Sequence, residues 1–329
     1  MAWNGSDLAD EFAELLNDSS ASFTTKVLGW INDVILDIST KHNWAFYRAY
    51  GKKSLTANTD KQSLVIAAPS APTLAALAGG SLLTGKSYSV AVTFYDSVEK
   101  IETKLGTSAS ITPAAADLSI TLTNIPVALE STIDSRRIYL KNVTDGGEWL
   151  LYSTISNNTA TTSTITAIAA TTSDNPPEYD YFKILDGDIR FETTKRNLKL
   201  LPLQQLMQIC SGQVIAGTPT YYAELGNSRF VFSPYPSAAI VASFYFFRRP
   251  RKVYSDTTNE PDIPREFKEL LKLGVLWKGH EFRERADKEI KKQIYDQALS
   301  AAISNLGDYV TGPIITRDVM GNSNGQVEV

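Results

Sequence analysis

The sequence predicts an α+β protein: a helical bundle drawn from both ends of the chain with a small antiparallel β region, plus an inserted all-β sandwich. Three observations support this. Apolar residues recur at helical spacing near both ends, they alternate with period two between residues 68 and 178, and proline pairs bracket that middle stretch. With 329 residues, 43% hydrophobic and 21% charged, the chain has the length and composition of two folded domains.

Residues 6–18 and 22–39 read as amphipathic helices. In the first, Leu8, Phe12, Leu15 and Leu16 share a face; in the second, Phe23, Val27, Trp30, Ile31, Val34, Ile35 and Ile38 do. Asp7, Asp10 and Glu11 suit the positive end of the first helix dipole. Trp44, Phe46 and Tyr47 follow as an aromatic anchor. At Ala68-Pro69-Ser70-Ala71-Pro72 the composition shifts to Thr, Ser and Ala. The runs 88–94, 119–122, 137–140 and 149–152 alternate like sandwich strands, up to Asn175-Pro176-Pro177. A folded insert in a loop is tolerated because closure entropy grows only logarithmically with length.

Beyond the insert, Phe182, Ile184, Ile189 and Phe191 predict a strand pair turning at Asp186-Gly187-Asp188. Pro202 leads into a short helix over 203–209, a hairpin turns at Gly226-Asn227-Ser228, and 239–247 forms a long strand. Pro264 opens a helix carrying Phe267, Leu270, Leu271 and Trp277. A last helix, about 286–305, places Ile290, Ile294, Ala298, Ala301 and Ala302 on one face. The expected organisation is a discontinuous core of 1–67 and 179–307, an inserted sandwich of 68–178, and an extended polar arm of 308–329.

Composition excludes several function classes. A net charge of −4 argues against a chain whose main task is gripping nucleic acid, although a mildly acidic wall suits DNA that must slide past. Cys210 is the single cysteine, so no intramolecular disulfide forms and folding in a reducing cytoplasm is expected. The first residues show no signal peptide, and the longest apolar run, 238–247, is half of the roughly 20 residues that span a bilayer. No membrane partner is expected. His42 and His280 belong to no HExxH or CxxC arrangement, and no phosphate-binding glycine loop or GxSxG elbow occurs. His280, among Lys278, Glu281 and Arg283, reads as a solvated helix face, His42 as a helix-end packing residue, and Asp186/Asp188 as a turn. The chain reads as a non-enzyme with no catalytic residues, no metal and no cofactor.

One basic run, Arg248-Arg249-Pro250-Arg251-Lys252, has two readings: contact with DNA phosphates or an acidic partner surface, or a charged gatekeeper ending an apolar strand.

Read in order, the flanking segments resemble the head–tail adaptor (connector) proteins of short-tailed bacteriophages and their relatives. The resemblance rests on Trp30-Ile31-Asn32, His42-Asn43-Trp44-Ala45-Phe46 and Gly217-Thr218-Pro219-Thr220-Tyr221-Tyr222. It continues in the run Phe230 to Pro236, in Tyr245-Phe246-Phe247-Arg248-Arg249-Pro250 and in the helical pair from Pro264. The insert is similar to the fibronectin-type or immunoglobulin-like modules of phage structural proteins, through Leu83-Thr84-Gly85-Lys86-Ser87-Tyr88, Arg136-Arg137-Ile138-Tyr139 and Asn157-Asn158-Thr159, without their paired cysteines. The resemblance implies a virion protein assembled in the host cytoplasm. It would form a twelve-fold ring below the portal, extend the DNA channel without specific DNA binding, and dock tail tube, nozzle or tail-spike proteins. By analogy the C-terminal arm would reach the portal, with Tyr309, Val310, Ile314, Ile315 and Val319 as anchors. Two other readings stand beside this one: a receptor-binding or decoration protein acting through the sandwich, and a polysaccharide depolymerase working with carboxylates alone.

Overall fold

The periodicities resolve into five helices and eighteen strands in the computed structural model, which describes residues 3–114, 118–168, 174–209, 215–226, 228–254 and 260–307. The helices are α1 (Gly5–Leu15), α2 (Ala21–Lys41), α3 (Leu203–Ile209), α4 (Lys268–Phe282) and α5 (Lys288–Gly307). All but α3 share one apolar core, joined by Trp44 and Tyr47 of the aromatic anchor. Asn4 caps α1 by accepting the Asp7 N–H at 2.9 Å. Leu8, Phe12 and Leu16 point inward with Ala9 and Ala13. The two alanines centre the buried stripe away from Leu15, which is exposed instead of sharing it.

Glycine brings α4 close to its neighbours. A Cβ at Gly274 would stand 2.5 Å from Val34 Cγ1, and one at Gly279 would stand 2.6 Å from Leu16 Cδ1. The inward face of α5 is in part the one expected: Ala298 and Ala302 pack against the helical core, while Ile290, Ile294 and Ala301 are exposed. Tyr295 stacks on Trp277 with ring centroids 5.6 Å apart and donates to Asp37 Oδ2 at 2.8 Å; Leu299 is buried beside it. That large ring claims the core position and turns Ile290, 59% exposed, and Ile294 outward. His280 also departs from its reading as a solvated residue. It is buried, with Nδ1 2.8 Å from Asp287 Oδ1 in the turn that returns the chain into α5.

Under the helices lies a sheet centred on β18 (Ile240–Arg248). It pairs antiparallel with β1 (Arg48–Leu55) from Arg48↔Phe247 to Leu55↔Ile240, so segments far apart in sequence form one ladder. On the other edge of β18 lie β11 (Phe182–Leu185) and β12 (Arg190–Phe191). They do not pair with each other as a hairpin. Asp186-Gly187-Asp188 lies in a bend that joins them along one edge of β18, with Gly187 at φ +90° and the Asp186 N–H donating to Tyr245 O at 2.8 Å. A second sheet runs β13 (Lys199–Leu200), β15 (Tyr221–Gly226), β16 (Arg229–Ser233), β2 (Lys61–Ser63), and contains the expected hairpin. A two-stranded parallel pair, β14 (Ala216–Gly217) and β17 (Tyr235–Pro236), lies beyond it.

The middle segment forms two antiparallel sheets. One is β10 (Ser163–Ile165), β7 (Ser119–Thr123), β3 (Thr73–Leu77). The other is β5 (Ile101–Glu102), β4 (Tyr88–Asp96), β8 (Ser135–Asn142), β9 (Leu150–Ile155), with β6 (Ala109–Ile111) also on β4. Tyr88, Val90, Ile120, Leu122, Ile138 and Ile165 from both sheets share one core. The segment is not loosely tethered. Phe94, Ile101, Ala128 and Ile133 belong to the same apolar cluster as Ile66, Tyr181, Phe182 and Phe246. Across that junction Lys53 Nζ meets Glu130 Oε1 at 2.6 Å, both side chains mostly buried. Among the described residues no helix is long and apolar enough to cross a membrane.

Candidate functional site

The basic run leaves the end of β18 and crosses the face of α2, where each member is held differently. Arg248 forms a bidentate ion pair with Asp262, the two side chains each 9% exposed, and its guanidinium lies 5.7 Å from the Tyr47 ring. Burial would raise the Asp262 carboxyl, and the Arg248 guanidinium more than offsets it, holding the group below the usual carboxylate value. The Arg251 N–H donates to the same carboxylate at 3.1 Å. Arg249 lies over the Tyr179 ring at 5.7 Å and its N–H donates to Tyr181 O at 2.7 Å. Lys252 is 3.5 Å from Glu178. Asn32 on α2 then acts as a backbone surrogate: its Oδ1 accepts the Val253 N–H at 2.7 Å and its Nδ2 donates to Val253 O at 3.0 Å. Arg248 is thus matched within the chain, while Arg249, Arg251 and Lys252 remain at least partly accessible.

The strap so formed roofs a cleft of about 320 Å³ at the meeting point of α2, the 174–179 linker and the β4–β8 sheet. Its floor is a buried polar network that period-two reading of β8 does not reveal. Glu102 accepts from Thr93 Oγ1, Tyr139 OH and Arg137 Nη1, each at 2.7 Å. Arg137 also lies 3.9 Å from the Tyr95 ring centroid. On the opposite face of β8, Arg136 is wholly buried and donates to the carbonyls of Pro126 at 3.0 Å, Asn157 at 3.3 Å and Ala160 at 2.5 Å. The only sequence signal for either arginine is a charged pair inside an apolar strand.

Two further surfaces carry exposed apolar groups. One gathers Leu200, Leu203, Met207, Ile209 and Ile215 on and around α3, with Met207 57% exposed. The stretch 200–215 contains no charged residue. The other is the outward face of α5 with Ile290 and Ile294. Patches of this kind mark protein contacts more often than catalysis. The anchors Tyr309, Val310, Ile314, Ile315 and Val319 lie outside the described residues. Among the described residues no group of three or more His, Cys, Asp or Glu side chains is placed to hold a metal ion.

A comparison with curated proteins finds no match. The family model of the SU10 adaptor protein matches residues 101–317, about two thirds of the chain, beginning inside the middle β segment and running through α3, α4 and α5. A family of this kind consists of phage structural proteins rather than enzymes, and implies incorporation into the virion and contact with other capsid or tail proteins. An interlocked body that offers apolar and charged surfaces for contact is what such a protein needs, and the chain belongs to the SU10 adaptor protein family of phage structural adaptors.

Proposed function

We propose that this chain is a head–tail adaptor that assembles as a ring, twelve copies in the resembling proteins, below the portal. There it extends the DNA channel and offers a docking face to tail tube, nozzle or tail-spike proteins. The family match carries the adaptor reading. The ring is supported by the pair of unlike exposed apolar surfaces, around α3 and along α5. A closed ring needs heterologous contacts, in which one surface of each copy meets a different surface of the next. Genomic DNA passes without specific binding, consistent with the net charge of −4 and the internal pairing of Arg248.

The discontinuous core of 1–67 and 179–307 is favoured by the β1–β18 ladder and by the packing of α2 on α4. The segment 68–178, with two sheets around one core, has the arrangement of a fibronectin- or immunoglobulin-like module. Its shared apolar cluster with the core sheet favours a module built into the collar over a free receptor-binding decoration. Residues 308–329 form the portal-docking arm through Tyr309, Val310, Ile314, Ile315 and Val319. Electron microscopy of the protein mixed with its portal tests the reading: coaxial rings are expected, and subunits that stay monomeric beside an undecorated portal would overturn it. Removing 308–329 is expected to abolish portal binding while the subunit stays folded.

A further inference from the structure

The cleft under the basic strap has features that the folding of this subunit does not require. Cationic and anionic side chains line it in equal number, six of each. Most are matched within the chain: Arg248 with Asp262, Arg137 with Glu102, Lys252 with Glu178 and Glu260 with Arg265. Among the described residues no ion pair engages Lys100, Arg249 or Arg251. Arg251 Nε is buried and has no hydrogen-bond acceptor. That nitrogen is sealed from the cleft, but the side chain as a whole is half-buried, and a carboxylate in the cleft meets the accessible part of the guanidinium.

The second observation is Gly29. It stands in the middle of the 21-residue α2, is exposed at the cleft wall, and a Cβ built on it would meet nothing within 4 Å. Glycine in a helix interior costs stability relative to alanine, and Gly274 and Gly279 justify that cost by close helix contacts. Gly29 has no such contact inside the subunit. A bare stretch of helix beside an unmatched guanidinium is what a closely approaching main chain requires.

We infer that this cleft docks an extended, acidic peptide segment of a partner protein, whose main chain passes over α2 at Gly29 and whose carboxylate reaches Arg251 and Arg249. With cations and carboxylates equal in number, the wall offers no net positive charge to a polyphosphate backbone, whereas a single carboxylate flanked by neutral peptide meets the cations that no ion pair engages. Tyr179, Tyr254 and Pro250 give the flanking residues apolar surface. The inference uses the adaptor reading only to the extent that an adaptor has neighbours, and peptide binding is measured independently of ring formation.

The test uses the full chain and three fluorescent dodecapeptides of extended Thr/Val sequence, identical except for a central Glu, Gln or Lys, followed by anisotropy. The Glu peptide is expected to bind at least fivefold more tightly than the Gln peptide, and the Lys peptide more weakly still. Gly29→Leu should raise the thermal midpoint yet weaken the Glu peptide at least tenfold, a combination that misfolding cannot produce. Arg251→Gln should erase the preference for Glu over Gln with the midpoint unchanged. Equal binding of the three peptides, undiminished binding to Gly29→Leu, or displacement of the Glu peptide by a 20-base-pair duplex would overturn the inference. So would loss of self-association in both variants, since a second copy would then be the occupant.

Discussion

Replacing Asp262 by alanine separates the two readings of the basic run. Arg248 and Asp262 are each 9% exposed, so little solvent screens the pair. Without the carboxylate, a buried guanidinium loses both its acceptors and the Arg251 N–H loses its own. Breaking a buried ion pair by removing one partner costs about 3–5 kcal/mol, a large share of the roughly 5–15 kcal/mol that holds a typical domain. With a shift of about 2–4 °C per kcal/mol for a domain of this order, the thermal midpoint should fall by roughly 6–20 °C. The double variant Arg248→Met/Asp262→Leu should recover most of the loss, because apolar groups of similar volume need no counter-charge. Urea titration at neutral pH reads both. The pH dependence follows with a definite sign. Because Arg248 holds the Asp262 carboxyl below its ordinary value of 3.8 against the effect of burial, its contribution is complete above that unfolded value and is lost as pH falls through the lower folded value. Asp262→Asn should therefore flatten the acid limb of the stability profile. A loss below about 1 kcal/mol for Asp262→Ala would refute this reasoning. So would an Arg248→Gln variant that loses affinity for DNA at unchanged stability.

Three other outcomes are expected. Lys183 Nζ donates to Ser39 O, His42 O and Asn43 Oδ1, closing the C-terminus of α2 from β11, so Lys183→Met should cost about 1–2 kcal/mol in urea titration and speed amide exchange in the last turn of α2. Lys53→Met strands the Glu130 carboxylate, which is 7% exposed, and should destabilise by about 3 kcal/mol with faster exchange around residues 126–135; adding Glu130→Leu should reverse most of that. Met207→Asp should leave subunit stability within about 0.5 kcal/mol, since the side chain touches mainly solvent, yet prevent rings from appearing by electron microscopy.

How much was legible in the sequence depended on whether a residue's place is set by local periodicity or by a distant partner. α1, α2, β15, β16 and β18 fall where the apolar spacing put them, because each buries a face whose repeat is written in consecutive residues. Asp186-Gly187-Asp188 misled for the same reason. A glycine between two carboxylates carries the local signature of a hairpin turn, but β18 offers a longer edge than β11 and β12 could offer each other, so both pair with it. In α5 the expected stripe keeps Ala298 and Ala302 against the core but loses Ile290 and Ile294 to Tyr295, whose ring meets Trp277 of α4 and Asp37 of α2, partners that local periodicity does not show. The candidate site was legible in part. Five residues with four positive charges announce themselves, but their division into a matched ion pair and unmatched donors depends on Asp262, Tyr179 and Asn32, from three separate parts of the chain. Gly29 is the sharpest case. A glycine at the polar side of a helical pattern reads as noise in a single sequence, and only its position on a cleft wall, with open space where a side chain would be, turns it into a statement about something the subunit does not contain.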